Sequence, residues 1–266
     1  MSVAIKIIFL TFMLFGQSAL AWTLVGQQGV AFKVKEVTIN IASTSCANAG
    51  FDTAALLNHV KNTIDKFWNK VAESSLELKI GSVGDINIDG QTSANAVATN
   101  LTPDNTILVG CNDDVTTFTD GFTGGVGSIY CSSSGVCRGA VIMNAHTSSN
   151  VDTFSENEIL TVLAHELGHA LGLGHSSVKE ALMYYSISSK TQEFLHQDDI
   201  NGFSWLYPNE EKLGGLVGSC ATLDLGDKNG PGGPGAFLLT LMIGLALIIA
   251  TTLIPSSGLK LFQKRF

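Results

Sequence analysis

The 266-residue sequence predicts an α+β domain carried on a C-terminal transmembrane helix. Three observations predict it: short β-branched segments with a period of two, two stretches with helical periodicity, and an uncharged apolar run from Ala236 to Ile254. With 45% hydrophobic and 14% charged residues the chain is too apolar for disorder. No acidic residue lies in 1–21 or 236–266, while Lys6, Lys260, Lys264 and Arg265 do. The middle therefore holds all 23 acids against 11 bases, a balance of −12, which speaks against a nucleic-acid partner.

Val34 to Ile41 alternates, with Val37, Ile39 and Ile41 on one face, and reads as a strand. Phe51 to Val71 follows with Leu56, Val60, Ile64, Phe67, Trp68 and Val71 at helical spacing and no internal Gly or Pro, a long amphipathic helix. Leu76 to Ile80 is a second strand, and 81–104, rich in Gly, Asn, Asp, Ser and Thr, is expected to be loop. Thr106 to Val109 is a short strand. Gly127 to Tyr130 and Ala140 to Asn144 are expected to form a paired edge region. Ser155 and Glu158 have capping-box spacing just before an apolar-periodic run, so a helix should begin near Glu156. A last helix is expected over Gln197 to Leu206.

At the N-terminus, Lys6 precedes an apolar run too short to span a bilayer, and Ala19-Leu20-Ala21 ends a stretch of small residues. Residues 1–21 thus read as a signal peptide cleaved before Trp22, an uncleaved anchor being the alternative. The domain would occupy 22–212. Residues 213–235 contain eight glycines and two prolines and read as a flexible stalk. Residues 236–254 are long enough to cross the membrane, and the basic segment 255–266 would stay cytoplasmic, placing the domain on the other side, at a cell surface or in a periplasm. The Gly/Pro run, apolar stretch and basic tail also resemble a removable bacterial sorting tag. Of five cysteines, Cys131 and Cys137 bracket a small loop that a disulfide could staple; Cys46 with Cys111 is the second pairing considered, leaving Cys220 in the stalk.

The chemistry lies in residues 165–175, His-Glu-Leu-Gly-His-Ala-Leu-Gly-Leu-Gly-His. His165 and His169, four apart on a helix, project from one face and can bind one metal ion. Gly172 can adopt the left-handed backbone that ends the helix and lets His175 return as a third ligand. Three neutral nitrogens leave an open position, the arrangement of catalytic rather than structural zinc. Glu166 adjoins a ligand and is placed to act as general base. His59, His146 and His196 stand alone and read as surface residues. The acidic pairs Asp85/Asp89 and Asp113/Asp114 could hold Ca²⁺, but EF-hand spacing is absent and nothing further supports calcium.

The full His-Glu-x-x-His-x-x-Gly-x-x-His pattern, with Met183 downstream, resembles the metzincin signature and its Met-turn. Ser176, the run Ala181-Leu182-Met183-Tyr184, and Leu195 to Gly202 followed by Leu206-Tyr207-Pro208 resemble the matrixins, the matrix-metalloproteinase-like branch. The resemblance implies a metzincin-like twisted mixed β-sheet above a cleft, a zinc endopeptidase acting on proteins or peptides, and Met183 as a floor under the metal. It implies further that the wall formed by residues 183–190 binds a substrate side chain, and that Asp198 and Asp199 brace the lower part. Val178 stands where animal matrixins usually have Asp, and Tyr185 where they have Pro. Tyr185 is two residues past the Met, where astacin- and serralysin-like relatives place a metal-site tyrosine, so it is a candidate oxyanion stabiliser. No Pro-Arg-Cys-Gly segment is present, so latency through a thiolate on zinc is not expected, Cys46 being the residual candidate. The competing functional classes are a non-catalytic surface or adhesion module that retains the fold, and a hydrolase of non-peptide amides.

Overall fold

The computed structural model describes residues 22–26, 29–120, 123–186 and 191–209. The expected signal peptide, stalk with Cys220, transmembrane run and basic tail lie outside the described residues, as do the last three residues of the expected domain. Among the described residues no helix is long and apolar enough to cross a membrane.

Five strands, β1 (Glu36–Ile41), β2 (Glu77–Val83), β3 (Thr106–Asn112), β4 (Gly125–Cys131) and β5 (Cys137–Asn144), form one mixed sheet in the order β2-β1-β3-β5-β4. β1 runs parallel to both β2 and β3, and β3 parallel to β5, while β4 pairs antiparallel with β5. The central strands read as near-continuous apolar runs because both their faces are buried. Ile107, Val109 and Cys111 of β3 and Val141 and Met143 of β5 face a large core, and the intervening Leu108, Ala140 and Ile142 face a smaller one.

The large core lies against two helices. The first, α1 (Thr53–Lys66), is capped by Asp52, whose side chain accepts from Ala55 N, and buries Leu56, Val60 and Ile64. It is shorter than its apolar pattern suggests. Phe67 and Trp68 are adjacent and both fully buried, which a continuing α-helix cannot arrange on one face, so the chain tightens into a 3₁₀ turn at Trp68–Lys70. The second is the metal-site helix described below.

The smaller core is covered by α2 (Ala94–Asn100), which corrects the expectation of a loop over 81–104. Ser93 caps it by accepting from Ala96 N, and Ala94, Val97 and Ala98 pack down with Ile88, Leu108 and Phe118. A seven-residue helix of small and polar residues gives too little periodicity to be recognised. A second correction concerns β5: it lies inside the sheet between β3 and β4, and only β4 of the expected edge pair is an edge.

Disulfides join Cys46 to Cys111 and Cys131 to Cys137. The first closes a span of 65 residues, which in chain-entropy terms is worth about 4 kcal/mol. It also removes Cys46 as a free thiolate. The second clasps the β4–β5 hairpin, where Cys131 and Cys137 are cross-strand partners.

Candidate active site

The helix that carries the motif, α3 (Glu156–Ala170), begins where its capping box predicts. The Glu158 carboxylate accepts from Ser155 N at 2.8 Å, and Glu158 N donates to Ser155 Oγ at 3.4 Å. Its other end is a Schellman turn: Leu173 N donates to Gly168 O at 2.9 Å and Gly172 N to His169 O at 3.0 Å. Gly172 has φ +101°, and a Cβ there would sit 2.1 Å from the Val30 carbonyl oxygen, so this position demands glycine twice over.

That turn brings His175 back to the helix. The candidate ligand atoms of His165, His169 and His175 all lie within 4.8 Å of one another, the only such group among the described residues. His165 Nδ1 lies 2.8 Å from Leu182 O and His169 Nδ1 lies 2.8 Å from Leu173 O. A carbonyl only accepts, so both Nδ1 atoms carry the proton and both Nε2 atoms present lone pairs. Those two Nε2 atoms are 3.2 Å apart. Two acceptors cannot hydrogen-bond each other, and a cation between them resolves the contact. Nitrogens bound to one tetrahedral zinc at about 2.0–2.1 Å would be roughly 3.3 Å apart, so the donor set fits this ion. Burial pushes the His169 pKa down to about 4, against its bond to Leu173 and with help from His175, and burial also lowers that of His175. Neutral rings are what a metal requires.

Glu166 is buried beside these rings. Burial pushes its pKa up to about 8, opposed by a hydrogen bond from the Gly127 amide. Helix and edge strand meet closely here because β4 presents glycines: a Cβ at Gly127 would lie 2.0 Å from the Glu166 carbonyl oxygen, and one at Gly125 would lie 3.1 Å from Glu166 Cγ. All three histidines and Glu166 open into a cavity of about 690 Å³ that Thr123–Gly127 also line. Asn150, Thr153 and Phe154, from the segment before α3, also line it, and none of the three was singled out in the sequence; Glu158 of the capping box lines it as well.

Below the histidines, Met183 is buried against α3, and a Cβ on Gly168 would fall 2.3 Å from its sulfur. Its turn is held from the final helix, α4 (Gln197–Leu206), which matches its expected bounds. Asp199 accepts from Leu182 N at 2.8 Å, Met183 N at 2.9 Å and His196 N at 3.0 Å. Asp198 accepts from Ser176 Oγ at 2.6 Å. Both carboxylates therefore brace the lower part, and Asp199 reaches the metal site in two steps, through the Leu182 peptide to His165 Nδ1. Two contacts that no local pattern announced complete the support. Trp68 Nε1 donates to Ala164 O at 3.0 Å, and Tyr207 Oη donates to Leu171 O at 2.6 Å.

Tyr185 lines the cavity at its rim, 67% exposed, with its ring 4.4 Å from that of Tyr184. The expected wall of 183–190 is described only as far as Ser186, and 187–190 lie outside the described residues. His59, His146 and His196 are partly exposed, and none joins the cluster. His59 packs on Phe51, His146 Nδ1 pairs with Ser148 Oγ, and the His196 ring caps α4 by accepting from Asp198 N. Asp89 and Asp114 are engaged with Asn87 and the Gly90 amide, and no acidic group meets the metal-cluster geometry among the described residues.

Comparison with known proteins gives the same picture. The matrixin family model matches residues 59–208. The chain is 55% identical over 49 residues to matrix metalloproteinase-9 of Canis lupus familiaris, a match covering 18% of this chain and 7% of that protein. It is 32% identical over 108 residues to metalloendoproteinase 2-MMP of Arabidopsis thaliana, covering 39% and 29%. It is 44% identical over 77 residues to interstitial collagenase B of Mus musculus, covering 27% and 16%. The matched regions thus span less than a third of each relative's length.

Proposed function

The chain belongs to the matrixin family, whose model matches more than half of it, and from that premise we propose that it is a zinc-dependent endopeptidase cleaving extracytoplasmic proteins or peptides. One observation carries the reading: two imidazole nitrogens with committed outer protons face each other at 3.2 Å, with Glu166 next in sequence and opening into the same cavity. The names of the relatives, a matrix metalloproteinase, a metalloendoproteinase and a collagenase, support peptide bonds over other amides.

His165, His169 and His175 would hold the zinc. When bound, zinc supplies Lewis acidity, lowering the pKa of a coordinated water to about 7 and polarising a carbonyl. Glu166 accepts the proton lost by the attacking water, holds it at its carboxyl, and delivers it to the nitrogen of the leaving amine. Its buried setting suits this shuttle, because a carboxyl whose pKa lies near working pH both takes and gives a proton readily. β4 is the edge strand of the sheet and lines the cavity, where an extended substrate can add as a further strand. Met183 serves as the floor, and Gly172 sets the turn of the third ligand. Tyr185, at the rim, is assigned to donating a hydrogen bond to the oxyanion.

The organisation that goes with this activity is a signal peptide over 1–21, the peptidase over 22–212, a stalk over 213–235, a membrane-crossing helix over 236–254 and a cytoplasmic tail over 255–266. The two disulfides suit an oxidising compartment outside the cytoplasm. The test is hydrolysis of an unstructured protein or peptide by the purified chain, with chelator, with zinc restored, and with Glu166→Ala. The proposal expects activity lost on chelation, recovered with zinc, and reduced by about 10³-fold or more in the variant. A chain that binds zinc yet shows no cleavage beyond that of Glu166→Ala would instead be a non-catalytic module on this fold.

A further inference from the structure

His165 and His169 are fixed by a helix, whereas His175, the one exposed residue of the three, lies beyond the helix end. Its loop is held by a distant part of the chain. Leu24 and Leu173 form an antiparallel bridge, flanked by Val25 N donating to Gly172 O at 2.9 Å and Gly174 N donating to Thr23 O at 2.8 Å. The Thr23 hydroxyl then donates to the carbonyl of His175 itself, at 2.7 Å. The loop is shaped to receive this segment: a Cβ on Gly174 would come within 2.4 Å of Thr23 Oγ1. One residue earlier, Trp22 packs on Gly202 with its ring 5.6 Å from that of Trp205, tying the segment to α4.

We infer that residues 22–25 form a strap that sets the third ligand, with Thr23 the positioning residue for His175. Two of the three histidines depend on the strap. It fixes the backbone of His175 directly, and it pairs with Leu173, whose carbonyl orients His169. Outer partners of this kind govern metal affinity because they decide how much ordering the ligands must undergo when the ion arrives. Thr23 is not among the residues that line the cavity. Its effect is on how tightly the site retains zinc.

The test is zinc affinity of the purified full chain, by competition with a chromophoric chelator, for the parent, Thr23→Val and Thr23→Ser. Valine keeps the shape and removes the donor, and serine restores the donor. The inference expects Thr23→Val to bind zinc about 10-fold more weakly, with Thr23→Ser within about two-fold of the parent. The zinc-free proteins should melt together, which separates positioning from folding. Thr23→Val binding zinc as tightly as the parent would overturn the inference. So would equal weakening in both variants, or a zinc-free Thr23→Val that melts well below the zinc-free parent. The inference rests on the three-histidine zinc site. A parent that binds no zinc sinks both readings, whereas a parent that binds it and an unaffected Thr23→Val sinks the strap alone.

Discussion

Gly127→Ala puts the contact between edge strand and metal-site helix under direct strain. The new Cβ would fall 2.0 Å from the carbonyl oxygen of Glu166, 2.8 Å from its carbonyl carbon and 3.0 Å from His169 Cβ. Two of these are backbone atoms of α3, so no side-chain rotation relieves the clash. Ordinary contact requires strand and helix to separate by roughly 1.5 Å. Overpacking of this kind typically costs about 1–3 kcal/mol. The larger effect is catalytic, because the displaced residues are the proposed base and a proposed ligand, and a misplacement of about 1 Å costs on the order of 10²-fold in rate. The assay is kcat/KM for peptide hydrolysis beside thermal unfolding. Gly84→Ala is the control, its nearest neighbour being the Ile41 carbonyl oxygen at 3.9 Å. Gly127→Ala with kcat/KM and melting temperature equal to those of Gly84→Ala would refute the claim that this contact positions the site.

Other perturbations probe the supports. Asp199→Ala strips acceptors from the amides of Leu182, Met183 and His196, and should cost about 3–5 kcal/mol by denaturant unfolding, since buried donors left unpaired lose their full solvation. Zinc affinity should fall with it, because Leu182 orients His165. Tyr185→Phe should lower kcat by about 10-fold with KM little changed if the hydroxyl serves the oxyanion, less than a buried donor would give because the residue is exposed. Turnover equal to the parent's would remove Tyr185 from the mechanism.

Much of this site can be read in the chain because its logic is local. The four-residue spacing of His165 and His169, the Ser155–Glu158 cap and the glycine at 172 are each decided within one or two turns of backbone. The short spacing of Cys131 and Cys137 also pointed to their disulfide, whereas spacing left the connectivity of Cys46 and Cys111 open and the fold joins them. The supports are different. Gly127, Trp68, Asp199 and Tyr207 act across separations that only the fold closes, and nothing near them in sequence marks their partners. The resemblance to the matrixins, not the residue pattern, pointed to Asp198 and Asp199. The helix at 94–100 was hidden because alanine and asparagine carry little hydrophobic periodicity, and its identity is settled by packing under β3 and β5. The interior place of β5 was hidden for a similar reason: a four-residue apolar run, Ala140 to Met143, reads alike at an edge or at a centre.

The most direct measurement is X-ray absorption at the zinc edge of the purified chain. Three imidazole nitrogens and one oxygen at about 2.0–2.1 Å, with no sulfur, are predicted for one ion per chain. Sulfur scattering near 2.3 Å, or a first shell with fewer than three imidazoles, would contradict a centre built from His165, His169 and His175.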